Sequence, residues 1–169
     1  MFLPKTLDRS VTDGAYSMFP DSWLEKPDDI HLPSLDTPGV LPSPSGEYGR
    51  YESNFMRFAA QEITKRLDLE QFQTKGFMLQ AIAAGWHHKS AAQLKDLGDK
   101  IGRERISVMH GTEDRMITVH HGHVLIEELK PGSSWIKEGS GHIMMLEISD
   151  WHNEKIEGMF EKTEAMKTD

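Results

Sequence analysis

The chain has 169 residues, a formal net charge of −8 and no cysteine. That length supports one domain with a sizeable core. The acidity argues against a nucleic-acid partner, whose affinity would come from Lys and Arg neutralising phosphates, and the missing cysteines exclude disulfides and any thiolate nucleophile or thiolate metal site.

No apolar run approaches a signal-peptide core or a membrane span, so a soluble, intracellular protein without a membrane partner is expected. Residues 1–4 are expected to be the end of a strand, and residues 6–18 a helix through Leu7, Val11, Ala15 and Met18. Asp21 to Leu24 reads as one capped turn ended before Pro27. Residues 27–49 carry Pro27, Pro33, Pro38, Pro42 and Pro44 with Gly39 and Gly46, which predicts a long irregular connector.

Over residues 52–67, Phe55, Phe58, Ala59, Ile63 and Leu67 fall on one helical face, with Arg57, Gln61, Lys65 and Arg66 largely opposite. Residues 75–87 place Phe77, Met78, Ile82, Ala83 and Trp86 around much of the circumference, which predicts a helix buried on more than one side. Ser90 is an N-cap for a helix over 91–101, and Gly102 suits the position just past its end. Near the C-terminus, Asp150 is expected to cap a helix over 151–165 whose Ile156, Met159 and Phe160 pack on a sheet.

The stretch from 105 to 146 carries the chemistry. Residues 105–110 form a β-rich run closed by Gly111, residues 119–129 have helical spacing, and residues 134–137 form a second β run closed by Gly139. Two strands joined by a helix should pair in parallel. The loops after them, carrying Asp114 and His142, then open on the same rim, where open α/β sheets keep their ligands.

An acid after one strand and a histidine after the next is the later part of a Ser…Asp…His relay. Through His-Gly-Thr-Glu-Asp-Arg-Met-Ile at 110–117 and Glu-Gly-Ser-Gly-His at 138–142, the sequence resembles the α/β-hydrolase superfamily. The likeness extends upstream through 75–102 and back to 1–27, which are similar to the helical cap of a fungal-type subgroup. The resemblance implies a partial α/β-hydrolase fold: residues 1–102 as a helical cap with the 27–49 connector inside it, and residues 103–169 as the last two parallel strands of the core with their flanking helices. It further implies serine hydrolysis of a small ester or related acyl compound, with Asp114 as triad acid, His142 as base, Trp86, Met116 and Met144 around the substrate, and no cofactor or metal.

The family's nucleophile sits in Gly-x-Ser-x-Gly on a strained strand-to-helix turn before the cap and the acid. No such pentapeptide occurs: Gly139-Ser140-Gly141 lacks the spacing and belongs to the histidine loop, and Ser45-Gly46 lies in the connector. The chain alone is therefore expected to be inactive, being a truncated or split polypeptide that needs a partner or an N-terminal half carrying the serine. The alternative is a non-catalytic module that binds a ligand. His110 is expected to be structural, bonding a nearby carbonyl, and the histidines at 87, 88, 120, 121 and 123 lack the carboxylate or cysteine that would complete a zinc site. Met78 and Met145 read as core fillers, and Ile117 as a support for the acid loop.

Overall fold

A computed structural model describes residues 6–34, 36–41, 43–70 and 72–166. The strand expected over residues 1–4 lies outside them. The chain divides into two compact units, Met1–Ala15 with Asp21–Phe72 and Tyr16–Pro20 with Gln73–Asp169.

The first unit is helical. It contains most of helix α1 (Leu7–Met18), the single turn α2 (Asp21–Leu24) and α3 (Asn54–Leu67). Val11 and Ala15 are the buried residues of α1, and Trp23 and Leu24 those of α2. The described residues of the proline-rich connector form neither helix nor strand, as five prolines predict.

Helix α3 begins where the Ser53 hydroxyl accepts the Met56 N–H at 3.2 Å, but its buried face differs from the apolar stripe. Asn54, Arg57 and Phe58 are buried, whereas Ile63 is 38% and Leu67 is 67% exposed. The reason is a polar cluster assembled from distant chain. Asn54 Nδ2 donates to Trp23 O (3.0 Å), and Arg57 Nη2 donates to Asn54 Oδ1 (3.1 Å). Arg57 also pairs with the buried Asp28 carboxylate (3.0 Å) and lies over the Trp23 ring. Asp28 in turn accepts the N–H groups of Ile30 and Tyr51, both at 3.2 Å. A buried charge is tolerated when paired and bonded in this way, so an arginine assigned to the solvent face by its hydropathy becomes the centre of the packing.

The second unit contains α4 (Thr74–Trp86), α5 (Ala91–Ile101), β1 (Ser107–Gly111), α6 (Val119–Leu129), β2 (Ser133–Lys137), α7 (Met144–Glu147) and α8 (Ser149–Ala165). The fold is thus mixed α and β. Helix α4 forms as expected, yet none of its residues is buried. An apolar circumference records a capacity for burial, and among the described elements nothing covers it.

Helix α5 starts with a reciprocal capping box: Ser90 Oγ accepts the Gln93 N–H (3.3 Å) and Gln93 Oε1 accepts the Ser90 N–H (2.9 Å). After Gly102, a single 3-10 turn over Arg103–Arg105 occupies what the sequence reads as the start of the strand. Arg103 explains the turn, because its guanidinium donates to the carbonyls of Leu129 and Lys95 and bonds Asp99. It thereby satisfies an orphan carbonyl at the end of α6.

Strands β1 and β2 pair in parallel, Ser107 opposite Ser133 through Gly111 opposite Lys137, with α6 as their connection. This is the arrangement predicted by the strand–helix–strand order. Leu94, Val108 and Leu129 form the buried centre between α5, β1 and α6, with Ile106, Leu125 and Ile126 against it. Helix α8 begins at Ser149 instead of being capped by Asp150, and it lies beside β2 through an edge-to-face pair of Trp151 and Trp135 and a Lys162 Nζ to Gly132 O bond of 3.2 Å. Phe160, expected on the sheet, is largely exposed.

Candidate functional site

The parallel ladder continues past the strands and draws their loops together. Thr112 N donates to Lys137 O (3.0 Å), and Glu113 N donates to Ser140 O (2.9 Å). Gly111 is required at this junction, since a Cβ there would collide with the carbonyl oxygens of Ser140 and Gly141. The acid loop and the histidine loop consequently run side by side.

Asp114 is buried, 7% exposed, and all its bonding capacity faces inward. Its Oδ1 accepts the backbone N–H groups of Met116 (2.9 Å) and Ile117 (2.8 Å), a local loop closure typical of aspartate. Its Oδ2 lies 2.8 Å from His142 Nδ1. The acid is therefore fixed by its own loop before it meets the histidine.

His142 is anchored by its backbone N–H on Met18 O at 2.7 Å, and its side chain is partly exposed. With Nδ1–H donating to Asp114, the neutral imidazole carries its lone pair on Nε2. That nitrogen has no hydrogen-bond partner among the described residues. A buried carboxylate behind an imidazole with a free basic nitrogen is the arrangement that takes a proton from a nucleophile and stabilises the imidazolium that results.

A cavity of about 210 Å³ opens here, lined by Asp114, His142, His110, His121, Ile117, Leu125 and Met144 among others. Of the three residues expected around a substrate, Met144 lines this cavity and is buried. Met116 sits half-exposed in the acid loop and contributes its N–H to Asp114. Trp86 is 86% exposed at the end of α4 and is not among the lining residues.

His110 takes the structural part expected of it. Its Nε2 lies 2.8 Å from Ile117 O and 3.4 Å from Asp114 Oδ2, so it braces the acid loop from behind. His120 and His121 face each other edge to face, and among the described residues no three His, Cys, Asp or Glu side chains are grouped to hold a metal ion. No described helix is long and apolar enough to cross a membrane.

Glu147 is a site residue that sequence reasoning missed. Both of its carboxylate oxygens accept the Gly141 N–H, at 3.0 and 2.9 Å. Burial raises its pKa above the ordinary 4.5, the N–H groups of Gly141 and Ile143 oppose that rise, and the charges of Asp114 and Glu113 add to it. The only signal in the sequence is a carboxylate ending the apolar run 143–146, directly after the histidine loop.

No known protein family, curated protein or solved structure matches this chain.

Proposed function

We propose that Asp114 and His142 are the acid and base of an acyl-transfer site of the α/β-hydrolase type, acting on a small ester or related acyl compound. The nucleophile is supplied by polypeptide outside these 169 residues, as a preceding segment or a partner chain. The observation that carries this reading is the 2.8 Å contact between the buried Asp114 Oδ2 and His142 Nδ1, with Nε2 left unbonded among the described residues. The order acid loop, helix, histidine loop on two parallel strands supports it.

In the completed site His142 Nε2 removes the proton from a serine hydroxyl as the oxygen attacks the acyl carbon. The imidazolium, stabilised by Asp114, returns that proton to the departing alcohol. A water then enters and attacks the acyl carbon as it loses a proton to the same nitrogen, and the imidazolium returns that proton to the serine oxygen as the acid leaves. Asp114 stays ionised throughout and holds the ring in one tautomer.

The test is capture from the native source of the polypeptide containing residues 111–145, after treatment with a fluorophosphonate probe that labels activated serines. The expected result is a labelled species larger than 19.2 kDa, or a labelled partner that co-purifies, with labelling lost on His142→Ala. An unlabelled 19.2 kDa polypeptide without a labelled partner would overturn the proposal.

A further inference from the structure

The loop carrying His142 is held by backbone bonds on every side. Ser140 O accepts the Glu113 N–H, His142 N–H donates to Met18 O, and Gly141 N–H is shared between the two oxygens of Glu147. This one side chain therefore holds the amide directly before the imidazole-bearing residue. There is no slack between these anchors, because a Cβ on Gly141 would stand 2.5 Å from Met18 O and 3.1 Å from Glu147 Oε1.

We propose that Glu147 is a positioning residue for His142: its carboxylate, bonded through both oxygens to the Gly141 amide, fixes the backbone leading into the imidazole-bearing residue and so keeps Nδ1 on Asp114. The inference rests on the reading of His142 as the base of the site. It adds a residue that never touches the reacting atoms. Burial is the largest influence on this carboxylate and disfavours its ionised form, yet the Gly141 amide is bonded to both of its oxygens. Four residues separate Glu147 from His142, with α7 as the rigid spacer, so the grip is transmitted without a flexible linker.

The experiment uses the chain itself, labelled with 15N at histidine and at backbone amides, as wild type and as Glu147→Ala, Glu147→Gln and Asp114→Asn. Ring-nitrogen spectra report the His142 tautomer, amide exchange reports the Gly141 N–H, and thermal unfolding reports stability. In Glu147→Ala we expect Gly141 exchange to accelerate roughly three- to tenfold, the effect of losing one such hydrogen bond, and the His142 ring to pass from one tautomer to a mixture. Glu147→Gln keeps an acceptor oxygen without the charge and falls between the two. A purely structural role would lower the unfolding midpoint and leave the ring spectrum of the folded chain unchanged, and that result would overturn the proposal. Should Glu147→Ala fail to fold, an unchanged ring spectrum in Glu147→Gln overturns it equally. Asp114→Asn separates the two ideas. If it shifts the ring nitrogens and the Glu147 variants do not, the positioning role alone fails; if it leaves them unchanged, the acid–base reading fails and Glu147 loses its purpose with it.

Discussion

Gly122 lets α6 close onto the ring of His110: a Cβ at position 122 would sit 2.8 Å from both His110 Cβ and Cγ. That approach sets the height of the helix over β1, and it holds His110 where Nε2 reaches Ile117 O behind the acid loop. The expected outcome for Gly122→Ala is a loss of roughly 1–3 kcal/mol, the cost of overpacking. A helix-interior glycine with free space around it would instead gain about 1 kcal/mol on the same change. The sign of the shift in urea midpoint decides between them.

Asp114 satisfies three donors at once: the N–H groups of Met116 and Ile117 and the ring nitrogen of His142. Asp114→Ala leaves them without an acceptor and is expected to cost roughly 2–4 kcal/mol. Asp114→Asn retains an oxygen for the two backbone donors and is expected to cost less than half as much. Equal losses in the two variants, measured by denaturant unfolding, would show that the loop does not depend on those two bonds.

Glu147 makes stability depend on pH with a definite sign. Its pKa in the folded chain lies above the ordinary 4.5, so the folded state binds this proton more tightly than the unfolded state. The stabilisation linked to that proton is fully present below 4.5 and is lost as pH rises through the raised value. Asp114 and Glu113 are the charged groups that oppose its ionisation. Relative to Glu147→Gln, the wild-type chain is therefore expected to lose stability over the window that opens at the ordinary 4.5 and closes above the raised pKa. A difference that grows in favour of the wild type over this window would reverse the sign and refute the account.

Asp28 and Arg57 form an ion pair with side chains 1% and 8% exposed. Asp28→Ala strands a buried guanidinium and is expected to cost roughly 3–5 kcal/mol. Replacing both, as Asp28→Asn with Arg57→Met, removes the uncompensated charge and is expected to cost less than Asp28→Ala alone. The double variant measured beside the two single ones gives the coupling directly.

The limits of local signals are visible in particular residues. Ser90 with Gln93 three positions on identifies the start of α5, because both cap bonds lie within one turn. Helix α6, the two strands, the irregular connector and the structural role of His110 are likewise legible from spacing and composition. Arg57 and α4 are not. Arg57 is buried against Asn54 one turn back on α3 and against Asp28, which reaches it through a loop no periodicity describes, while α4 is apolar all round and none of its residues is buried.

The sequence by itself determined the elements and the pairing of β1 with β2, since a helix joining two short strands leaves the chain little choice but a parallel crossover. From that connectivity alone Asp114 and His142 belong on one rim. Only the tertiary structure decided that they meet at 2.8 Å, that Gly111 leaves room for the two loops to touch and Gly141 for the histidine loop to lie against Met18, and that Glu147 grips the histidine loop. Local structure follows from bonds within a turn or two of chain, whereas burial, close approach and a shifted carboxylate arise from groups that meet only when distant segments have packed.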